Sequence, residues 1–161
     1  MKTFFLLLFI FIILIVLSGC NVTLRRDKTP DIIEDVRTTS YTHNEPDHYQ
    51  FGKLTCLGTT LRHGDKVSAA SDWSFLPVGT EFKIGGCEKT YVIEDIGSAL
   101  AGTETVDIYT PCRYSMHQRG TQHVDITIIE WGCFIKSLEI LEPRSHSRAA
   151  RVMTKSLKTK I

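Results

Sequence analysis

Six short runs of β-branched or alternating apolar residues follow one another after residue 36. Glycine or proline separates the runs, a pattern typical of a small all-β barrel or sandwich. We predict strands over residues 38–42, 67–70, 80–84, 90–94, 105–109 and 124–129. The sequence also predicts a short helix over 112–118, closed by Gly120, and a final strand over 134–141.

An export signal precedes the β-rich part. Residues 4–17 are fourteen consecutive apolar residues after Lys2, which suits a secretory signal better than a membrane span of about 20 residues. The exit at 17–20 resembles the lipobox of bacterial lipoproteins, which implies cleavage before Cys20 and acylation of its thiol. Several acyl chains make a stable anchor. An uncleaved signal anchor with a coincidental cysteine is the alternative.

The lipobox resemblance also implies a location. Lipid on Cys20 places the chain in the cell envelope. In a Gram-negative host, Asn21 after the cysteine implies the periplasmic face of the outer membrane.

Charge divides the remaining chain. Residues 21–142 carry twelve Lys and Arg against eighteen Asp and Glu, whereas 144–161 carry six cations and no acid. We predict a tether over 21–36, a barrel domain over 37–143 and a basic tail over 144–161. An exported chain with an acidic body is not expected to bind nucleic acid.

The tail has a weak helical repeat. Ala150, Met153, Leu157 and Ile161 recur at helical spacing with cations mostly elsewhere, which predicts a basic amphipathic helix resting on anionic lipid or wall polymer. A frayed, solvated terminus is the alternative.

Four cysteines remain after the leader, at positions 56, 87, 112 and 133. An even number in an exported chain predicts up to two disulfides, in any of three connectivities. A zinc site is the rival interpretation, but the spacings of 31, 25 and 21 residues lack the close ligand pairs of such sites. We therefore expect no metal.

Three aspartates, Asp72, Asp95 and Asp107, lie in or just after predicted strands. A rigid scaffold can gather carboxylates from strand ends around one groove. Aspartate is also common in turns and caps, so a purely structural role for all three is the alternative.

The order of motifs around these aspartates resembles the three-Asp (3D) domain family. Asp72 is followed by a Leu-Pro-Val-Gly-Thr segment at 76–80, by Asp95 opening a glycine-containing loop to Gly102, and by Val-Asp-Ile-Tyr at 106–109. Residues 39–42 and 119–120 resemble the opening and close of that domain, so the match covers about residues 37–130. It implies a six-stranded double-psi β-barrel related to membrane-bound lytic transglycosylase A and, more distantly, to rare lipoprotein A.

The resemblance implies a cofactor-free lytic transglycosylase that binds peptidoglycan and cleaves the MurNAc–GlcNAc bond to a 1,6-anhydro product. By motif position, Asp107 matches the catalytic acid/base, Asp95 its close partner and Asp72 a third member that orients the groove. Such an acid needs a pKa raised towards about 6. The expected substrate-binding residues are Tyr41, Gly97, Ser98, Gly102 and Tyr109.

Two departures from the family pattern affect the substrate loop. The family's Asp-Thr-Gly-Gly is Asp-Ile-Gly-Ser at 95–98, and one residue is inserted between Gly102 and Asp107. A non-catalytic peptidoglycan-binding or envelope-organising lipoprotein on the same barrel is therefore the alternative function. A structural or phage-lysis accessory is a third.

Overall fold

The computed structural model describes residues 30–46 and 48–161. The signal at 1–20, with Cys20, and residues 21–29 of the tether lie outside the described residues, so both stay predictions. The barrel begins earlier than predicted, because residues 31–36, assigned to the tether, already form strand.

Six strands form the body of the protein. Five of the six predicted strand runs coincide with one of them within two residues at either end, whereas the first strand begins seven residues before its predicted start. The strands are β1 (Asp31–Tyr41), β2 (Lys66–Ser71), β3 (Glu81–Ile84), β4 (Thr90–Asp95), β5 (Val106–Tyr109) and β6 (Gln122–Glu130).

Three short helices accompany the strands: α1 (Arg113–Arg119), α2 (Phe134–Leu141) and α3 (Arg148–Leu157). Helix α1 confirms the helix predicted at 112–118. The predicted final strand at 134–141 is wrong, because these residues form α2. Their buried positions, Ser137 and Leu141, are four residues apart and so share one helical face, and the Val78 amide donates to the Ser137 hydroxyl at 2.9 Å.

The strands close into a barrel in the order β1-β5-β2-β4-β3-β6. The pairs β1/β5 and β2/β4 are parallel, and the other pairs are antiparallel. The predicted mainly β, six-stranded barrel is confirmed at this level, with three short helices where one or two were expected.

Alternate residues of each strand point into the core. Trp73, after β2, is fully buried, and its indole Nε1–H donates to the Asp95 carbonyl at 3.0 Å. That bond ties the end of β4 to the core. The largest fully buried apolar side chains are Trp73, Phe82, Leu76, Ile93, Ile126, Leu141, Met153, Leu157, Val67 and Val106.

The basic tail is part of this core. Met153 and Leu157 on α3 are fully buried and Ala150 is 1% exposed, all within the main apolar cluster. The helix is therefore docked rather than frayed, and its buried apolar positions face the protein instead of a lipid surface. Exposed Lys158 pairs with Glu142 at 2.6 Å.

The predicted disulfides are not present among the described residues, where the four cysteines after the leader are free. Cys56 and Cys87 are half-buried in loops, and Cys112 and Cys133 are exposed at the starts of α1 and α2. An even count constrains the number of pairs but not the distances between thiols. Within the described ranges, no helix has the length and apolar character needed to cross a membrane.

Candidate functional site

A cavity of about 950 Å³ lies against the outer face of the barrel. Its barrel wall includes Ala70, Asp95 and Asp107, and its other sides come from the loop 45–58 and the segment 144–150. Neighbouring residues Val106 and Ile108 belong to the barrel core. Asp107 between them therefore points outward, into the cavity.

Strand register aligns the carboxylates across the barrel wall. Ala70 on β2 pairs with Asp95 on β4 and with Asp107 on β5, and Asp107 pairs in turn with Thr39 on β1. Adjacent strands lie about 4.8 Å apart, so the Asp95 and Asp107 backbones are separated by roughly 10 Å. The small Ala70 side chain between them leaves the space above the wall open.

Asp95 is the more buried of these two carboxylates, at 4% exposure. Its Oδ1 accepts the backbone N–H groups of Cys56 and Ile96, each at 2.9 Å, and its Oδ2 accepts the Tyr41 hydroxyl at 3.0 Å. Burial raises the pKa of Asp95, against the opposing effect of these donors. Asp95 is thus a carboxyl group that protonates more readily than an exposed one.

The charges of both carboxylates act on the Tyr41 hydroxyl. Burial raises the pKa of Tyr41 far above its ordinary value, and the charges on Asp95 and Asp107 raise it further. Its ring packs against Tyr109 and His48, with ring centroids 5.6 and 5.7 Å apart. Tyr41 therefore stays protonated and acts as a fixed hydrogen-bond donor beside the two acids.

Asp107 is half-buried and faces the cavity. Its Oδ1 accepts the Thr39 hydroxyl at 2.6 Å. That bond orients the carboxyl group along the row of paired residues that crosses the barrel wall. The Asp107 side chain is more accessible from the cavity than the Asp95 side chain is.

Asp72 does not line this cavity. Its Oδ1 accepts the Ser74 amide at 2.7 Å, and its Oδ2 accepts the Gly102 amide at 2.5 Å. Position 102 requires a glycine because the backbone φ there is 82°. The contacts of Asp72 thus hold the loop before β5 against the end of β2, whereas Asp95 and Asp107 share the cavity.

The predicted substrate-binding residues divide between two places. Tyr41, Gly97 and Ser98 line the cavity, and Gly102 and Tyr109 do not. The Tyr109 hydroxyl is instead hydrogen-bonded to His43 Nδ1 at 2.8 Å. Tyr109 supports Tyr41 from behind rather than facing the cavity.

Several cavity residues were not identified from the sequence: His48, Cys56, Arg144 and His146. Burial raises the pKa of the Cys56 thiol to about 12, so the thiol stays neutral. These residues come from distant parts of the chain and carry no shared motif. Among the described residues, no three His, Cys, Asp or Glu side chains form a group that could hold a metal ion.

The raised pKa of Asp95 predicts a pH-dependent contribution to stability. The folded state keeps a proton that the unfolded chain loses near its ordinary pKa of 3.8. Stability of the wild type therefore falls as the pH rises from that value through the folded pKa, by about 1.4 kcal/mol for each unit of elevation. Asp95→Asn removes this dependence and can still accept the two backbone donors.

Urea unfolding of wild type and Asp95→Asn, at pH values from about 3 to 8, measures the effect. We expect the free energy of unfolding of the wild type, relative to the variant, to fall with rising pH and then level off. A difference that is constant across this range contradicts the prediction.

The cavity therefore offers the half-buried carboxyl groups of Asp107 and Glu45, the buried Asp95 carboxyl of raised pKa and the Tyr41 hydroxyl that donates to Asp95. No protein-family model matches the chain, and no curated protein matches it. The chemistry of these side chains, together with the motif order, is what bears on function.

Proposed function

We propose that this protein is a lipid-anchored lytic transglycosylase of the cell envelope that cleaves the MurNAc–GlcNAc bond of peptidoglycan. The observation that supports it best is the row formed by Asp107, Ala70 and Asp95 under an open cavity, with Tyr41 beside both acids. Carboxyl groups on rigid strands beside a groove are what glycosidic bond cleavage requires.

The reaction needs one group that acts first as an acid and then as a base. Asp107 protonates the glycosidic oxygen as the bond between that oxygen and the MurNAc anomeric carbon breaks. The Asp107 carboxylate then takes the proton of the MurNAc 6-hydroxyl as that oxygen bonds to the same carbon. The products are a 1,6-anhydro sugar and a free hydroxyl on the leaving sugar, without consumption of water.

Access favours Asp107 over Asp95 for this role. A general acid must reach the glycosidic oxygen within hydrogen-bond distance. Asp107 is half-buried and lines the cavity, whereas three protein donors occupy the oxygens of Asp95. We propose that Asp95 contributes to the electrostatic environment of the site. Tyr41, which donates to Asp95, orients that carboxyl group.

The finer fold assignment is part of the same proposal. We propose that the barrel is a double-psi barrel, since a closed six-stranded barrel with two separate parallel pairs is consistent with it. Disulfides are not part of this proposal.

The lipid anchor limits how far the site can be from the membrane. With lipid on Cys20, ten residues separate the anchor from the start of β1 at Asp31. A fully extended chain of that length spans at most about 35 Å. The barrel would therefore act on glycan strands close to the membrane surface.

Purified sacculi provide the decisive test. The full chain, solubilised in mild detergent, should release soluble 1,6-anhydromuropeptides, identified by mass spectrometry. Release of reducing-end products without the anhydro group would instead indicate hydrolysis. A folded chain that releases nothing contradicts catalysis.

A second candidate is binding of peptidoglycan without cleavage. It is favoured by the Asp95 and Asp72 carboxylates, whose oxygens are all engaged by protein donors. This function predicts that the chain sediments with sacculi and releases no soluble product. The same incubation therefore separates the two candidates.

A further inference from the structure

One side of the cavity is positively charged. Arg144 and His146 line it, and so do Ser147, Ala149 and Ala150 at the start of α3. The first turn of α3 contains no acidic residue. Its leading backbone N–H groups carry a partial positive charge, and the Ser147 hydroxyl accepts one of them, that of Ala150, at 3.5 Å.

Arg144 has no acidic partner in the described part of the chain, where no carboxylate forms an ion pair with it. Its positive charge opposes the effect of burial on the pKa of the Cys56 thiol, and that thiol donates to the Glu94 carbonyl at 3.6 Å. A half-buried arginine that lines a cavity and has no ion pair among the described residues retains donors for an anion.

Cys56 interacts with both the acidic and the cationic side of the cavity. Its backbone N–H donates to Asp95 at 2.9 Å, and the charge of Arg144 acts on its thiol. Arg144 and the acidic row therefore line the same cavity, together with Cys56. A ligand that spans this cavity can place one group over the row and another at Arg144.

Two residues that line the cavity contain unsatisfied polar atoms. Among the described residues, His48 Nε2 and Ser40 Oγ are buried and have no hydrogen-bond partner, and both residues line the cavity. Buried polar atoms without partners are costly, so a polar ligand that reaches them is favoured. The Arg144 side chain is the observation, besides the helix terminus, that points to a bound anion.

We propose that Arg144, His146 and the start of α3 form a subsite that binds a carboxylate of the glycan ligand. The inference rests on the proposed function, because peptidoglycan then supplies the ligand. MurNAc carries a lactyl group whose carboxylate is free in peptide-free strands and is an amide where a stem peptide is attached. Stem peptides bring carboxylates of their own.

Defined oligosaccharides distinguish these sources. The ligands are a peptide-free GlcNAc–MurNAc tetrasaccharide, its lactyl methyl ester, and the same tetrasaccharide bearing stem peptides. Calorimetry is done with the full chain in the Asp107→Asn background, so that the ligand stays intact. Arg144→Ala and Arg144→Lys are compared with Lys155→Ala, which removes one exposed charge from α3 outside the cavity.

We expect a carboxylate ligand to bind about 10-fold to 100-fold more tightly than the methyl ester, the range of a charge-assisted hydrogen bond. Arg144→Ala should remove that advantage, Arg144→Lys should keep part of it, and Lys155→Ala should keep all of it. An advantage for the peptide-free acid identifies the lactyl carboxylate, and one confined to the peptide-bearing ligand identifies the stem peptide.

Equal binding of all three ligands to the chain overturns the subsite, and this comparison needs no arginine variant. An equal loss for ester and carboxylate ligands in Arg144→Ala overturns it too. If sacculi are not cleaved but the Arg144-dependent preference persists, the transglycosylase activity fails and the subsite stands. If sacculi are cleaved without that preference, only the subsite fails.

Discussion

Asp107→Asn is expected to reduce release of 1,6-anhydromuropeptides from sacculi by about 10²-fold to 10⁴-fold, the contribution of a general acid/base. Asparagine has nearly the same shape and can still accept the Thr39 hydroxyl, which lies 2.6 Å from the native carboxylate. It cannot give a proton to the glycosidic oxygen or take one from the 6-hydroxyl. The barrel should therefore remain folded while the reaction stops.

Two control variants sharpen this result. Asp65→Asn alters an exposed aspartate outside the cavity and should leave release unchanged. Asp95→Asn alters the buried partner and should reduce release less than Asp107→Asn does. Full activity of Asp107→Asn, with loss in Asp95→Asn, would assign the acid/base to Asp95 instead. Unfolding curves of all three variants separate catalytic loss from instability.

Leu157→Ala is expected to lower the free energy of unfolding by about 2–5 kcal/mol. Leu157 is fully buried in the main core, although it lies only four residues from the end of the chain. Domains of this kind are stable by only about 5–15 kcal/mol, so one truncated side chain removes a large fraction of the total. Met153→Ala, one helical turn earlier, should cost a similar amount.

Urea unfolding followed by circular dichroism measures these changes. Lys155→Ala on the exposed side of the same helix is the matched control, with an expected change within about 0.5 kcal/mol. If Leu157→Ala proves as mild as Lys155→Ala, α3 is not docked on the barrel in solution. The proposed carboxylate subsite would then lose the helix that forms one side of it.

Local sequence pattern predicted most of the fold. Glycine and proline between short alternating runs located all six strands and α1, because strand periodicity and chain breakers act over a few residues. The segment 134–141 was misassigned because a short run of mixed polarity fits a period of two nearly as well as a helical face. Burial of Leu141 and the hydrogen bond from the Val78 amide to the Ser137 hydroxyl favour the helix.

The candidate site was predictable only in part. Motif order singled out Asp95 and Asp107, which the structure brings to one cavity, and it included Asp72, which holds a loop elsewhere. Nothing local in the sequence connects Cys56 or Arg144 to these acids. Their contacts arise because the loop 45–58 and the segment after α2 fold over the same outer face of the barrel.

By itself, the sequence located the six strand runs in order and singled out Asp95 and Asp107, since these depend on period, breakers and local motifs, but it also predicted a seventh strand where α2 forms. Only the tertiary structure decided that β2 lies between β4 and β5, which aligns Asp95 and Asp107 across Ala70. It also decided that the basic tail is docked core and that the four cysteines of the described residues remain unpaired. These outcomes depend on strand register and barrel closure, which join residues distant in the chain and leave no local signal.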